Sequence, residues 1–275
     1  MPELPEVETI RMQLEKYIVG SVIRNIDVRN KKYEISTENI LDQKIIKVRR
    51  FAKQLSIDLS NDYSIMIHVK MTGQLIYRGS KLKQNNLSKK VTGGINGKYT
   101  HLIFHLNGGD LYYNDVRKFG WIKIIKSEEL KVNNFAPEPL KDLTFEYFSN
   151  LLSKSKRNIK VMLMDQSKIG GIGNIYVNDA LYLSRIDPHR SAVSLNQSEV
   201  GLLYKAIETV LKAGLKYGGA SELAFVTPDG KEGEYQNHTL VYGHEEEICK
   251  SCKTTKLEKF FLGGRGTYWC PTCQK

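Results

Sequence analysis

Long apolar runs are missing from this 275-residue sequence. No stretch reaches the roughly 18 to 20 apolar residues that a membrane-spanning helix needs, which excludes a helical membrane protein. The opening MPELPEVETI lacks the basic-then-apolar pattern of a secretory signal and carries two prolines and three glutamates instead. Cysteine is scarce, with four residues that all fall after position 248, so a disulfide-stapled secreted scaffold is not indicated. Internal repeats, low-complexity tracts, basic amphipathic helices and lipidation signals are also missing, which argues against solenoids and membrane-surface binding. The expected location is the cytoplasm. Acidic residues are in deficit: 30 Asp plus Glu against 41 Lys plus Arg leave a formal charge of +11 and a pI near 9.3. Such a surplus favours a polyanionic partner, with nucleic acid the default.

Hydrophobic residues make up 41% and charged residues 26%, a balance that supports buried cores. The length suits two packed domains plus an appendage. From residue 5 to 18, Val7, Ile10, Leu14, Tyr17 and Ile18 form one stripe opposite charge, which predicts an amphipathic helix. Short alternating runs then follow from Val22 to about Lys126, among them VIRNIDV, LSIDL, SIMIHV, HLIFHL and WIKII. They predict an antiparallel β-sandwich. Within them, residues 79–98 form a polar insertion with Lys81, Lys83, Lys89, Lys90 and Lys98 and no acid. It reads as a mobile surface loop whose charge suits a nearby phosphate backbone.

Residues 133–140, NNFAPEPL, read as a linker into a helical domain. Helices are predicted at about 144–152, 156–165, 174–184, 196–217 and 220–225, with Gly170, Gly171 and Gly173 breaking the pattern. The fold class is thus α+β multidomain. It divides into a 1–132 β-sandwich domain with its N-terminal helix, the linker, a 141–240 helical domain and a 241–275 finger.

Cys249 and Cys252 precede Cys270 and Cys273 as two C-x-x-C knuckles, the pattern of a four-thiolate zinc site. A pair of disulfides is the alternative and requires an oxidising compartment. The zinc site would be closed and structural, and loading it lowers the charge from +11 to about +9. Between the knuckles, FFLGGRGTYWC reads as a hairpin with Arg265 at its tip, where a guanidinium can grip phosphate.

Taken together, MPELPEVET, GIGNIY at 171–176 and the cysteine quartet resemble the formamidopyrimidine-DNA glycosylase family, in its order and along the whole chain. The resemblance implies that Pro2, freed of Met1, is an amine nucleophile, and that Glu3 is a general acid/base with Glu6 as organiser. It implies that Lys53 reaches the lesion's sugar-phosphate and that Arg265 acts on phosphate and in the later elimination. Met71, Arg117 and Phe119 match residues that fill the void left by an extruded nucleotide. Lys70 stands where many relatives have glycine, which puts the turn beside Met71 in question. Residues 160–186 resemble a helix–two-turns–helix element in which the glycines approach phosphate, helped by Asn174, Lys156 and Arg265. A nucleotide-binding glycine loop is excluded, because no Rossmann strand precedes the turn and no Walker lysine follows. Residues 221–238 correspond to a loop covering the everted base. His68, His101 and His105 read as structural or phosphate-adjacent strand residues.

The implied activity is removal of 8-oxoguanine and formamidopyrimidines opposite cytosine through a Schiff base, followed by β,δ-elimination. The expected partners are one structural zinc ion and damaged duplex DNA in the nucleoid, bound by a monomer without nucleotide cofactor. Two alternatives stand beside it: an endonuclease VIII-type oxidised-pyrimidine glycosylase, and a non-catalytic binder of damaged DNA.

Overall fold

The computed structural model describes residues 1–82, 86–130 and 135–275. Lys83 of the insertion and residues 133–134 of the expected linker lie outside the described residues. Two compact units are present: Met1–Asn134 with Gly214–Gln236, and Phe135–Ala213 with Asn237–Lys275.

The first unit begins with helix α1, Leu4–Ile18, capped by Glu3 and Glu6 with proline in its first turn. Its stripe of Val7, Ile10, Leu14, Tyr17 and Ile18 is buried, as the periodicity predicts. Eight strands follow: β1 Ile23–Val28, β2 Ile45–Phe51, β3 Gln54–Leu59, β4 Tyr63–His68, β5 Gly73–Gly79, β6 Thr100–Leu106, β7 Gly109–Asp115 and β8 Trp121–Lys126. They build two four-stranded antiparallel sheets of order β1-β6-β7-β5 and β2-β3-β4-β8. Leu55, Ile57 and Ile67 from one sheet and Leu75, Leu102 and Phe104 from the other share one core with α1, so the arrangement is a sandwich.

Register brings two crossovers together. β4 and β8 end opposite each other at His68↔Trp121, and β5 and β7 pair at Gly73↔Asp115. The connections 69–72 and 116–120 therefore leave one sheet and enter the other side by side.

Gly214–Gln236 groups with this unit, whereas the sequence reading kept it in the helical domain. The helix expected at 220–225 does not form. Gly218 and Gly219 adopt φ of +69° and +85°, which ends the preceding helix, and the chain enters a loop held by Ser221 Oγ donating to Phe225 O at 2.8 Å.

The second unit contains α2 Phe145–Ser153, α3 Ile159–Leu163, α4 Asn174–Leu183, most of α5 Gln197–Lys216, and a hairpin of β9 Glu258–Leu262 and β10 Arg265–Trp269. α3 is shorter than the predicted 156–165 because the Asn158 side chain accepts from Lys160 N and Val161 N, fixing its start. Among the described residues, no helix is long and apolar enough to cross a membrane.

Candidate active site

At the chain start Met1 is 42% exposed, Pro2 is buried, and Glu3 and Glu6 are 3% and 0% exposed. Glu6 uses both carboxylate oxygens on backbone: Oε2 accepts from Glu3 N at 2.7 Å and Oε1 from Ala220 N at 2.7 Å. It bridges the residue after Pro2 and the loop after α5. A Cβ on Gly219 would lie 2.8 Å from Glu6 Cγ and Oε1, so only glycine lets the loop approach this closely.

Lys53 is 5% exposed and occupies the β2–β3 turn. Ala52, at φ +49°, closes that turn. Arg50 ties it to α1, with Nε donating to Glu8 Oε2 at 2.8 Å and Nη1 to Ala52 O at 2.9 Å. His68 feels the same positive field: burial, then the charges of Lys70 and Lys53, push its pKa down to about 4. Its Nδ1 accepts from Lys70 N at 3.1 Å, so the ring is neutral and structural near pH 7. Lys70 has φ +51°, the left-handed region that glycine enters without cost. The turn beside Met71 is therefore kept despite the lysine.

The two side-by-side crossovers bring Met71, Arg117 and Phe119 into contact. The Arg117 guanidinium lies over the Phe119 ring, 4.5 Å from its centroid, and its Nη1 is 3.4 Å from Met71 Sδ. Phe119 is 52% exposed. Beneath the trio sits Asp115, fully buried. Its Oδ2 accepts from Gly120 N at 2.8 Å, Tyr33 Oη at 3.0 Å and Tyr113 Oη at 3.4 Å, and its Oδ1 accepts from Thr72 Oγ1. Thr72 Oγ1 in turn accepts from Arg117 N at 3.1 Å. One carboxylate thus fastens both crossovers. Burial, followed by the negative charge of Asp115, raises the Tyr33 phenol well above its ordinary range. His101 stacks on Tyr33 and bonds Asp115 O, and His105 sits between Asp27 and Asp110.

In the second unit, Gln166 organises the glycine turn, accepting from Gly171 N at 3.0 Å and donating to Ile172 O at 2.6 Å. Gly171 takes φ +92°. α4 then starts at Asn174, whose Nδ2 donates to Gly266 O at 3.1 Å. The same carbonyl receives Lys160 Nζ at 2.8 Å, and Lys160, with no exposed surface, also reaches Thr267 Oγ1 at 2.7 Å. These bonds anchor the hairpin one residue past Arg265, which is exposed directly after the Gly263–Gly264 turn. Lys156 stands exposed in the turn between α2 and α3. Lys160 and Asp115 were not singled out from the sequence, since nothing in a single lysine or aspartate announces full burial.

The four cysteines are not bonded to one another as disulfides. Their sulfurs all lie within 4.8 Å of one another, with Cys249–Cys273 and Cys252–Cys270 each at 3.8 Å, so the cluster could hold a metal ion. Hydrogen bonds from Thr254 pull the Cys252 thiol down to about 5, while burial pushes Cys273 up to about 12. A cation is what would hold all four as thiolates. α4 supports the cluster: Asn178 Oδ1 accepts from Tyr268 N at 2.9 Å, and Asp179 Oδ1 from Val241 N at 3.0 Å.

This architecture has known relatives. The formamidopyrimidine-DNA glycosylase N-terminal domain model matches residues 1–122, and the H2TH domain model of the same family matches residues 135–225. A formamidopyrimidine-DNA glycosylase of Rickettsia africae is 38% identical, with 100% of this chain and 99% of the relative covered. Two crystal structures of Lactococcus lactis Fpg (MutM) cover 100% of both chains. One, bound to DNA containing an oxidised pyrimidine, has a TM-score of 0.84 at 32% identity; the other, bound to DNA containing N7-benzyl-Fapy-dG, has 0.86 at 31%. With both halves of the fold matched and the likeness running end to end, this chain belongs to the formamidopyrimidine-DNA glycosylase family.

Proposed function

We propose that this protein excises oxidised purines, 8-oxoguanine and formamidopyrimidines, from duplex DNA with the Pro2 nitrogen as nucleophile, and then cleaves the strand. The observation that carries the reading is the chain start. Pro2 is buried directly before Glu3 and Glu6, while Met1 alone is exposed and accessible for removal. With Met1 attached, the Pro2 nitrogen is an amide without a usable lone pair. Once freed, an α-amine near pKa 8 is deprotonated about one time in ten at pH 7, far more often than a lysine.

The amine attacks C1′ of an extruded nucleotide, the glycosidic bond breaks, and the base leaves with a proton. Glu3 handles that proton and the opening of the sugar ring. Glu6, whose two oxygens serve Glu3 N and Ala220 N, holds the geometry. The resulting iminium acidifies the C2′ proton; its loss expels the 3′ phosphate, and a second elimination expels the 5′ phosphate. Lys53 and Arg265 bind the flanking phosphates, together with Asn174 and Lys156. Met71 and Phe119 fill the vacated stack, and Arg117 offers donors to the orphaned cytosine.

The metal at the cysteine cluster is zinc in this reading. A zinc–sulfur distance of about 2.3 Å in a tetrahedron requires sulfur separations of about 3.8 Å, which the Cys249–Cys273 and Cys252–Cys270 pairs match. Zinc there supplies folding energy to the hairpin and no chemistry.

The test is reductive trapping. Processed protein mixed with 8-oxoguanine duplex and borohydride is expected to form a covalent adduct that mass mapping places on Pro2. A shifted band without adduct identifies a binder, and faster cleavage of thymine glycol duplex identifies a pyrimidine enzyme. Either outcome overturns the proposal.

A further inference from the structure

The basic insertion does not behave as the free loop its composition predicts. From residue 86 onward, it packs on the loop that follows α5. Ser88 N donates to Gly230 O at 2.8 Å, and Ser88 Oγ donates to Glu232 Oε1. Lys90 Nζ pairs with Glu232 Oε2 at 2.8 Å and donates to the carbonyl of Ser221. Leu87 lies so close to Gly230 that a Cβ there would meet it at 2.2 Å, and Gly230 has φ +81°. Val91 shares a buried cluster with Ile76 and Val226. Gln74 Nε2, from β5, donates at 2.7 Å to both Lys90 O and Ala224 O, tying the two segments to the sheet. On the other side, the loop begins at Ala220, whose N–H holds Glu6 Oε1.

These contacts form one connected path. Glu232 and Ser88 fix Lys90, Lys90 fixes the Ser221 carbonyl, and the adjacent Ala220 amide fixes the carboxylate that holds the Glu3 amide. We infer that residues 87–91 are a clasp built into this chain to hold the 219–232 loop against Glu6, and that Lys90 is its positioning residue. The inference deepens the proposed function, on which it rests for the reaction that Glu3 and Glu6 serve. It also reassigns Lys90 from phosphate contact to an internal ion pair. The Lys90 side chain is 32% exposed and that of Glu232 37%, so the pair itself is modest. Its effect comes from what it orients rather than from its own strength. Lys90 and Ser88 also hold the Glu232 carboxyl below the usual carboxylate range, consistent with an occupied pair.

The experiment compares processed full-length protein with its Lys90→Met, Lys90→Arg and Glu232→Gln variants and the Lys90→Met/Glu232→Gln double variant. Readouts are single-turnover excision from 8-oxoguanine duplex, duplex affinity against salt, and amide exchange at residues 220–233. Lys90→Met is expected to slow excision about tenfold with affinity held within about twofold, because a small misplacement near reacting groups costs rate before binding. Exchange at Ala220 should rise, Lys90→Arg should restore most of the rate, and the double variant should be no worse than either single one. Should Lys90→Met fold poorly, Glu232→Gln reads the same coupling from the other end. If Lys90→Met instead loses affinity and flattens the salt dependence, with rate and amide exchange unchanged, Lys90 touches phosphate and the clasp is wrong. If the parent protein excises nothing, the proposed function fails, while the exchange data still decide whether the clasp exists.

Discussion

At the end of β4, before the turn that carries Met71, stands His68, neutral because burial and two lysines oppose its charge. Its folded pKa of about 4 lies below the ordinary 6.5 of the unfolded chain. Above 6.5 both states are neutral and its contribution is complete. As pH falls from there toward 4, the unfolded state takes a proton that the folded state refuses, and stability is lost. By pH 5 the loss amounts to roughly 2 kcal/mol. Urea unfolding at pH 7 and pH 5 should therefore show a smaller acid penalty for His68→Gln than for the parent. An equal penalty in both would mean that the imidazole is free to titrate. The sequence placed this histidine on a strand as structural or phosphate-adjacent, but its neutrality depends first on burial and then on Lys70 and Lys53, and only tertiary packing supplies the burial and brings Lys53 near.

At the level of elements, the decisive feature is that two crossovers run side by side. β4 leads to β5 and β7 leads to β8, each changing sheet at the same end because His68 pairs with Trp121 and Gly73 with Asp115. Asp115 then joins both turns through Gly120 N and Thr72 Oγ1. Replacing it by asparagine removes a charge from four donors and presents an NH₂ to some of them. The expected cost is about 2–3 kcal/mol in unfolding free energy. Lesion-duplex affinity should fall beyond what the lost stability explains, because Met71, Arg117 and Phe119 lose their common base. Calorimetry together with duplex titration checks both, and unaltered affinity in a folded Asp115→Asn protein would confine the aspartate to stability. Motif reading named Met71, Arg117 and Phe119. It could not name the carboxylate beneath them, because an Asp before V-R-K-F-G looks like any turn residue.

On the scale of the whole molecule, the two units carry separate cores. Among the described residues, the sandwich core includes none beyond Phe225, and the cluster around Cys249 and Cys270 draws on Tyr182, Val241, Leu257 and Tyr268. Removing a metal held by the four cysteines should accordingly act on one unit. Strong chelation is expected to abolish duplex binding by loosening the hairpin that bears Arg265, while the β-sheet circular dichroism of the first unit persists. Loss of that signal together with binding would show that the units unfold as one. The surplus of +11 belongs to this scale too, since it steers the protein toward a phosphate backbone without choosing a lesion.

Local pattern was enough to place several features of this protein. The stripe on α1, the alternating strands and the paired C-x-x-C knuckles each express a short-range rule: helical period, strand period, and two sulfurs turned to one centre. The motif at the chain start likewise sits within one turn of its own helix. Tertiary structure alone decided the rest. Ala220 meets Glu6 across 214 positions and Lys90 meets Ser221 across 131, and the latter contact turns an apparently free basic loop into a packed strap. Periodicity reports which face of an element is buried. It carries no information about which distant backbone amide will satisfy a buried carboxylate, because that partner is fixed only when the packed chain leaves it no water to bond.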